Sequence, residues 1–263
     1  VINRSSVNFN VDAEVYGLEI EYLWAPGSNW LLSANIGLLE SKLVDVFAID
    51  VLDRTAGNSD FVVLKNAASY SNCAVSAEGC ATILGASEAG QLGAGSTAGL
   101  CLGSFADQEA TFGLGNVSYV DGDGSLRTIG ALTPFDGVNK NLSDNNLPGA
   151  PDTTLNLAAE YTFPSLGNSS WDLTIRGDYY YQTESFARIW NVPRDEISSW
   201  ENVNLSLVLA NNDTGFQITA FAKNLFDEEV ITGAYLQDDS PGLYSNVFLT
   251  EPALYGVTIS KSW

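Results

Sequence analysis

The sequence has no histidine and no methionine among its 263 residues. Without histidine the chain lacks the usual general base, the commonest metal ligand and every Ser/His/Asp or Cys/His nucleophile arrangement. We therefore expect no enzyme activity, no cofactor and no metal site. The missing initiator methionine and the absence of a signal-peptide pattern at the start predict a processed chain or a fragment of a longer polypeptide.

Basic residues and long apolar runs are also scarce. Eleven Lys and Arg stand against 32 Asp and Glu, which gives a formal net charge of −21 and a pI near 4.1. Such acidity argues against nucleic acid as a partner. No apolar stretch reaches the roughly 18 residues that a transmembrane helix needs. Membrane insertion by strands stays open.

Seven segments alternate between apolar and polar residues with the two-residue period of a strand. The first, "AEVYGLEIEYLW", places Tyr16, Leu18 and Ile20 on one face and Gly17 and Glu19 on the other. Connections are short after the first, third and fifth segments and long after the second, fourth and sixth. The pattern predicts an all-β, antiparallel architecture in which each strand has an apolar face and a polar face.

The polar face carries charged and amide side chains that a close-packed core could bury only at several kcal/mol each unless they were paired. We predict that this face lines a water-filled or plugged lumen and contacts a ligand or the plug. The candidate residues are Glu19, Glu21, Asn35, Asn156, Glu160, Arg176, Asp178, Asn204 and Lys223. Glu19 and Glu21 could suggest a glycosidase pair, but a solvated lumen wall is the better interpretation.

Aromatic residues gather where the strands meet the short turns, and a second aromatic lies about 8 to 10 residues away along the strands, or ~26 to 33 Å. After strand tilt this gives an apolar band of roughly 20 to 25 Å, as in an outer-membrane barrel. The predicted aromatic girdle comprises Trp24, Trp30, Phe163, Trp171, Phe216, Tyr255 and Trp263. The band favours a transmembrane β-barrel segment over a soluble barrel or sandwich.

Closure of such a barrel needs more strands than this chain supplies. An open edge in lipid leaves a row of unpaired N–H and C=O groups, and bacterial single-chain barrels use even strand numbers. We therefore expect further strands before Val1. The predicted domain organisation is one β-barrel segment over residues 1–263, with a long loop at about 43–151.

The sequence resembles the C-terminal part of the TonB-dependent receptors of the bacterial outer membrane. The resemblance rests on "AEVYGLEIEYLWAPGSNWLLSANIGLL", "NNLPGAPDTTLNLAAEYTF" and "FQITAFAKNLFDEEVITGAY", and on the terminal "LYGVTISKSW". "NLFD" at Asn224–Asp227 matches the family's penultimate-strand ending. Membership implies a barrel of about 22 strands, of which this chain would be the C-terminal third, with the long loops extracellular.

The resemblance also implies partners and an activity. The partners are outer-membrane lipid and lipopolysaccharide, the missing N-terminal strands and plug, a TonB-type energy transducer engaged through the missing N-terminal region, and the outer-membrane assembly machinery, which would read the terminal Trp263. The implied activity is active uptake of a scarce nutrient such as a ferric siderophore. The alternative is a small passive porin or a structural outer-membrane barrel.

Three cysteines, Cys73, Cys80 and Cys101, lie in the long loop, which on this topology faces an oxidising exterior. We predict a Cys73–Cys80 disulfide, with Cys101 free, paired instead, or bonded to the missing part. The loop also holds "DGDGS" at Asp121–Ser125, which faintly resembles a calcium loop but lacks the terminal bidentate glutamate. A Gly-rich turn is the better interpretation of that motif.

Overall fold

The structure is a computed structural model that describes residues 10–66, 71–93, 95–237 and 242–262. The chain divides into two compact units. We call the first the strand unit; it comprises 13–42, 145–235 and 247 onward. The second, which we call the insert, is built mainly of Leu43–Asp144.

Strands dominate the described part of the chain. In chain order the first are β1 (Asp12–Trp24), β2 (Trp30–Val44), β3 (Phe47–Ala48), β4 (Phe61–Asn66), β5 (Ser71–Ser76), β6 (Asn116–Val120), β7 (Leu126–Gly130) and β8 (Lys140–Asn141). The others are β9 (Thr153–Phe163), β10 (Trp171–Gln182), β11 (Ser185–Phe186), β12 (Glu196–Ile197), β13 (Trp200–Asn211), β14 (Phe216–Lys223), β15 (Ile231–Leu236), β16 (Ser245–Leu249) and β17 (Leu254–Lys261).

The α-helices of the described residues are short. They are α1 (Ala77–Glu88) and α2 (Ser96–Cys101). Among the residues that the structure describes, no helix combines the length and the apolar character needed to cross a membrane.

All seven predicted strands form one sheet in the order β1-β2-β9-β10-β13-β14-β17. Its register keeps like faces together, because residues directly opposite each other point to the same side. Ile175 lies opposite Tyr161 and Leu207, whereas its neighbour Arg176 lies opposite Glu160. The sheet is open, with β1 and β17 as its edge strands.

Side-chain hydrogen bonds fix the short turns at one end of the sheet. Asn211, which is buried, accepts at Oδ1 from the backbone N–H groups of Asp213 and Thr214. Asp172 accepts from the Ser165 N–H at 2.8 Å and from the Asn212 Nδ2 at 2.8 Å. One carboxylate therefore joins the turn before β10 to the turn before β14.

Phe221 interrupts the polar face of β14, and the sheet explains why. It lies directly opposite Gly256 of β17. A Cβ built on Gly256 would come within 2.3 Å of the Phe221 ring, so the ring occupies the space over the glycine. A glycine has no side chain to cover the backbone of a strand, and here the Phe221 ring covers the backbone of Gly256 instead.

The insert has its own hydrophobic core, which sequence periodicity did not predict. The core contains Cys73, Val75, Ile83, Leu100 and Leu132, each at most 8% exposed. These side chains come from the β4–β5 hairpin, the two helices and the segment after β7. The Ser76 hydroxyl caps α1 by accepting from the Gly79 N–H. The long connection is thus a folded module.

The predicted Cys73–Cys80 disulfide is wrong: Cys73 is bonded to Cys101, with the two Cα atoms 5.6 Å apart, and Cys80 is free. Cys73 lies in β5, whereas Cys80 lies in α1. The three extended residues between Cys73 and the start of α1 span about 10 Å at ~3.3 Å per residue. Helix α2 instead brings its last residue, Cys101, onto the strand. Burial raises the pKa of the Cys80 thiol.

We expect Cys101→Ser to destabilise the insert by about 3 kcal/mol, because the lost disulfide closes a loop of 28 residues. Limited proteolysis of the full-length protein should cut the insert faster in this variant. Cys80→Ser is the matched control and should leave the cleavage rate close to that of the parent. A Cys73–Cys80 linked peptide in a non-reducing map would contradict the assignment.

Candidate functional site

The polar face of the seven-stranded sheet is the candidate site. Register places side chains from four strands in one line across it, because Asn35 faces Asn156, Asn156 faces Tyr180 and Tyr180 faces Asn202. We call these four residues the amide row. A parallel line one step nearer the short turns runs through Ser33, Ala158, Asp178 and Asn204.

An ion-pair cluster lies beside the amide row. The Arg176 guanidinium donates to both carboxylate oxygens of Asp178, with Nε 3.0 and 3.1 Å from Oδ1 and Oδ2. Its Nη1 lies 3.7 Å from Oε2 of Glu160, which is directly opposite on β9. One cation therefore compensates two carboxylates in the middle of the polar face.

A shallow concavity brings five of the predicted residues together. They are Asn35, Asn156, Arg176, Asp178 and Asn204. Glu160 joins them through Arg176. Lys223 lies at the end of β14, where it is exposed, and Glu19 and Glu21 lie exposed on edge strand β1. These last three residues do not line the concavity.

Two connecting segments meet by hydrogen bonds at the long-connection end of the sheet. The Asn145 Nδ2 donates to the Ile189 carbonyl at 2.8 Å. The Asn146 N–H donates to Oδ1 of Asn191, whose Nδ2 returns a bond to the Asn146 carbonyl. The ion pair between Arg188 and the buried Asp195, 2.7 Å from Nε to Oδ1, links two points of the same connection. The two connections before β9 and after β10 are therefore joined by hydrogen bonds.

Sequence reasoning missed two aromatic members of this face as candidates. Tyr180 belongs to the amide row, and the Trp200 ring lies 4.8 Å from it between centroids. The Tyr180 hydroxyl donates to Oε1 of Gln182 at 2.7 Å. The alternation along the strand could have identified Tyr180, since it lies two residues from Asp178 and four from Arg176 and therefore on the same face. Trp200 was missed because it begins β13, one residue before the predicted alternation.

Asn224 of the "NLFD" motif has a structural role. It is 3% exposed. Its Nδ2 donates to the carbonyls of Glu228 and Glu251, and its Oδ1 accepts from the Glu228 N–H. The motif therefore fastens the start of the β14–β17 connection to its end.

The opposite face of the sheet is apolar and exposed. Leu157 and Leu207, which lie on central strands, are 40% and 37% exposed, and Val257 and Ile259 on β17 are 68% and 67% exposed. A soluble sandwich would cover such residues with a second sheet. The exposed apolar surface therefore extends from the central strands to the edge.

Aromatic rings lie at both borders of the apolar face. Near the short turns Tyr161 packs edge-on between Trp30 and Phe163, with centroids 4.7 and 4.5 Å away. The predicted Trp24, Trp171 and Phe216 also lie at this border, on β1, β10 and β14. Tyr255 lies toward the far border, and Trp263 lies outside the described residues.

Tyrosines at the far border carry carboxylate partners. The Tyr16 hydroxyl donates to Glu40 at 2.9 Å, and the Tyr179 hydroxyl donates to Glu201 at 2.6 Å. Beyond Tyr16 the same face becomes charged, with Glu14 paired to Lys42 at 3.1 Å. The apolar band therefore ends in hydrogen-bonded tyrosines and then in charge.

The "DGDGS" carboxylates of the insert are already engaged by protein donors. Asp121 accepts from the backbone and side-chain nitrogens of Asn139. Asp123 accepts from Ser125 and Arg127; these bonds, the Ser125 hydroxyl first, lower the pKa of Asp123. Within the described residues no cluster of three metal-ligating side chains occurs. The turn is thus held by its own hydrogen bonds.

Comparison with known proteins gives a likeness at the level of fold. No protein-family model and no curated protein matches the chain. The ferric yersiniabactin uptake receptor FyuA of Yersinia pestis matches with a TM-score of 0.50 and 11% identity, over 93% of this chain and 23% of that one.

Two structures from Acinetobacter baumannii match less well. The siderophore receptor PiuA has a TM-score of 0.47 and 12% identity, over 94% of this chain and 21% of PiuA. The ferric preacinetobactin receptor BauA has a TM-score of 0.36 and 10% identity, over 94% of this chain and 26% of BauA. This chain therefore spans about a quarter of the length of each structure.

The likeness to FyuA confirms the predicted fold class, an all-β chain built on an antiparallel β-barrel segment. It agrees with the resemblance to TonB-dependent receptors inferred from the sequence.

We expect Arg176 and Asp178 to show an energetic coupling of about 0.5–1 kcal/mol in a double-mutant cycle, since both side chains are partly exposed. The cycle uses Arg176→Gln, Asp178→Asn and the double variant, with unfolding of the full-length protein as the measurement. The coupling should shrink as ionic strength rises. A salt-independent coupling would contradict an electrostatic origin.

Proposed function

We propose that this chain is part of the wall of a transmembrane barrel in the bacterial outer membrane. Its apolar face meets lipid and its polar face lines the lumen. The observation that carries the proposal is the exposed apolar face bordered by aromatics at both ends, opposite a face that holds an ion-pair cluster. Trp171 and Tyr179 on β10 are eight residues apart, or ~26 Å along the strand, which fits the outer-membrane apolar belt after tilt.

The open edges support the proposal that the barrel is larger than this chain. Strands β1 and β17 leave one side of their backbones without a sheet partner among the described residues. In hydrocarbon each unpaired N–H or C=O costs several kcal/mol, so further strands must pair with both edges. Seven strands would make up about a third of a barrel of about 22, and the chain spans only 23% of FyuA, so both comparisons leave room for further strands.

We propose active transport as the role of the complete barrel. FyuA is named as the ferric yersiniabactin uptake receptor, and by analogy we propose that the complete protein imports a scarce nutrient, such as a ferric siderophore. It would enclose a plug, receive energy from a TonB-type transducer and act without enzymatic chemistry. The candidates named above would contact ligand or plug from the lumen wall.

The location of the insert follows from the same topology. The long connections, including the insert, would be extracellular and the short turns periplasmic. A disulfide between Cys73 and Cys101 fits an oxidising exterior. The far border of the apolar face, with its tyrosine–carboxylate pairs, would meet lipopolysaccharide. The assembly machinery would recognise the terminal strand with its Trp263.

Adjacent residues of β10 test which face meets lipid. Ile175→Arg should destabilise the membrane-inserted full-length protein by about 2–4 kcal/mol, because it places a cation at the centre of the apolar band. Thr174→Arg is the matched control on the polar face and should cost less. Unfolding from lipid vesicles measures both variants, and equal losses would contradict the assignment of the faces.

Energy dependence tests the transport role. Cells that make the full-length protein should lose uptake of its nutrient when a protonophore is added or when the TonB-type transducer is deleted. The reason is that the plugged barrel opens only when work is supplied from the inner membrane. Uptake that continues unchanged under both treatments would instead indicate a passive porin.

A further inference from the structure

The asparagines of the amide row differ from other asparagines of the strand unit. Asn145, Asn191, Asn211 and Asn224 all use their side-chain amides to hold turns and connections. In contrast, the side chains of Asn35 and Asn156 make no hydrogen bond to any described residue, and both are exposed. Their donors and acceptors are therefore free to bind a molecule on the polar face.

The row is continuous across four neighbouring strands. Asn35, Asn156, Tyr180 and Asn202 follow one another in register on β2, β9, β10 and β13. Three inter-strand spacings give it a length of roughly 14 Å. Such a line can contact several groups of one elongated ligand at once.

The charge of the polar face disfavours an anionic ligand. Its carboxylates are Glu19, Glu21, Glu160, Asp172 and Asp178. Its cations among the described strand residues are Arg176 and Lys223. Arg176 is engaged by Asp178 and Glu160, so it is not available to compensate a ligand anion. An anionic metal chelate bound here would meet uncompensated negative charge.

Aromatic rings complete the chemistry of the row. Tyr180 and Trp200 pack at 4.8 Å between ring centroids, and the bond from the Tyr180 hydroxyl to Gln182 holds the phenol in place. Aromatic side chains combine an apolar face with a polar tip. Such rings can pack against the C–H groups of a ligand whose hydroxyls bind the neighbouring amides.

We infer that the amide row binds a neutral, hydroxyl-rich ligand, a short oligosaccharide, through exposed carboxamides flanked by the Tyr180–Trp200 aromatic pair. A carboxamide both donates and accepts hydrogen bonds, which matches a hydroxyl group that does the same. A neutral ligand also avoids repulsion from the carboxylates. The inference rests on the proposed function, because the row must line the lumen of a transport barrel to meet its ligand.

Binding of defined probes to the purified full-length protein tests the inference. The probes are neutral malto-, cello- and xylo-oligosaccharides and an anionic ferric tris-catecholate complex, each measured by calorimetry. We expect at least one neutral oligosaccharide to bind and the ferric complex not to compete with it. Asn156→Ala and Tyr180→Ala should each weaken that binding roughly tenfold, the factor for one lost hydrogen bond or ring contact.

Gln217→Ala is the matched control, because it removes an amide from the same face at the short-turn end. It should leave oligosaccharide binding unchanged. Binding of the ferric complex alone would overturn the inference and leave the proposed function standing. Oligosaccharide binding that is equal in the row variants and the control would also overturn it. Row-dependent binding with protonophore-insensitive uptake would contradict the proposed function and not this inference.

Discussion

The alternation of side chains along paired strands is the constraint on which the rest of the structure depends. Successive residues point to opposite faces, and hydrogen bonding between strands keeps like faces together across the sheet. Ile175 therefore lies among apolar side chains, whereas Arg176 lies opposite Glu160. A slip of one residue would exchange the two faces, so the register sets which surface is apolar and which can hold charge.

The short-turn end and the long-connection end stabilise that register in different ways. At the short turns Asn211 and Asp172 hold the backbone with single side chains. At the other end Asn224 joins the two ends of a long connection. The insert, taken by itself, has its own core, which the Cys73–Cys101 disulfide crosses. Each long connection is thus fixed by specific bonds.

Parity along a strand identifies which face of the sheet a residue shares, and it assigned the predicted lumen residues to one face. Asn35, Asn156, Arg176, Asp178 and Asn204 gather at one concavity, since register brings residues of the same parity to the same level. Lys223, Glu19 and Glu21 lie on the same polar face but outside the concavity. Parity does not state how far along the sheet a residue lies. Trp200 belongs to the polar face because β13 begins at this residue, one position before the alternation visible in the sequence.

The sequence by itself determined the seven strands, their two faces and the aromatic borders, because a two-residue period is a local property that the order of residues records directly. Tertiary structure alone decided the pairing of Cys73 with Cys101, the core of the insert and the line formed by the amide row. These depend on which distant segments pack together. Short spacing along the chain favoured Cys80 as the partner, but the packing of α2 on β5 brought Cys101 to Cys73 instead.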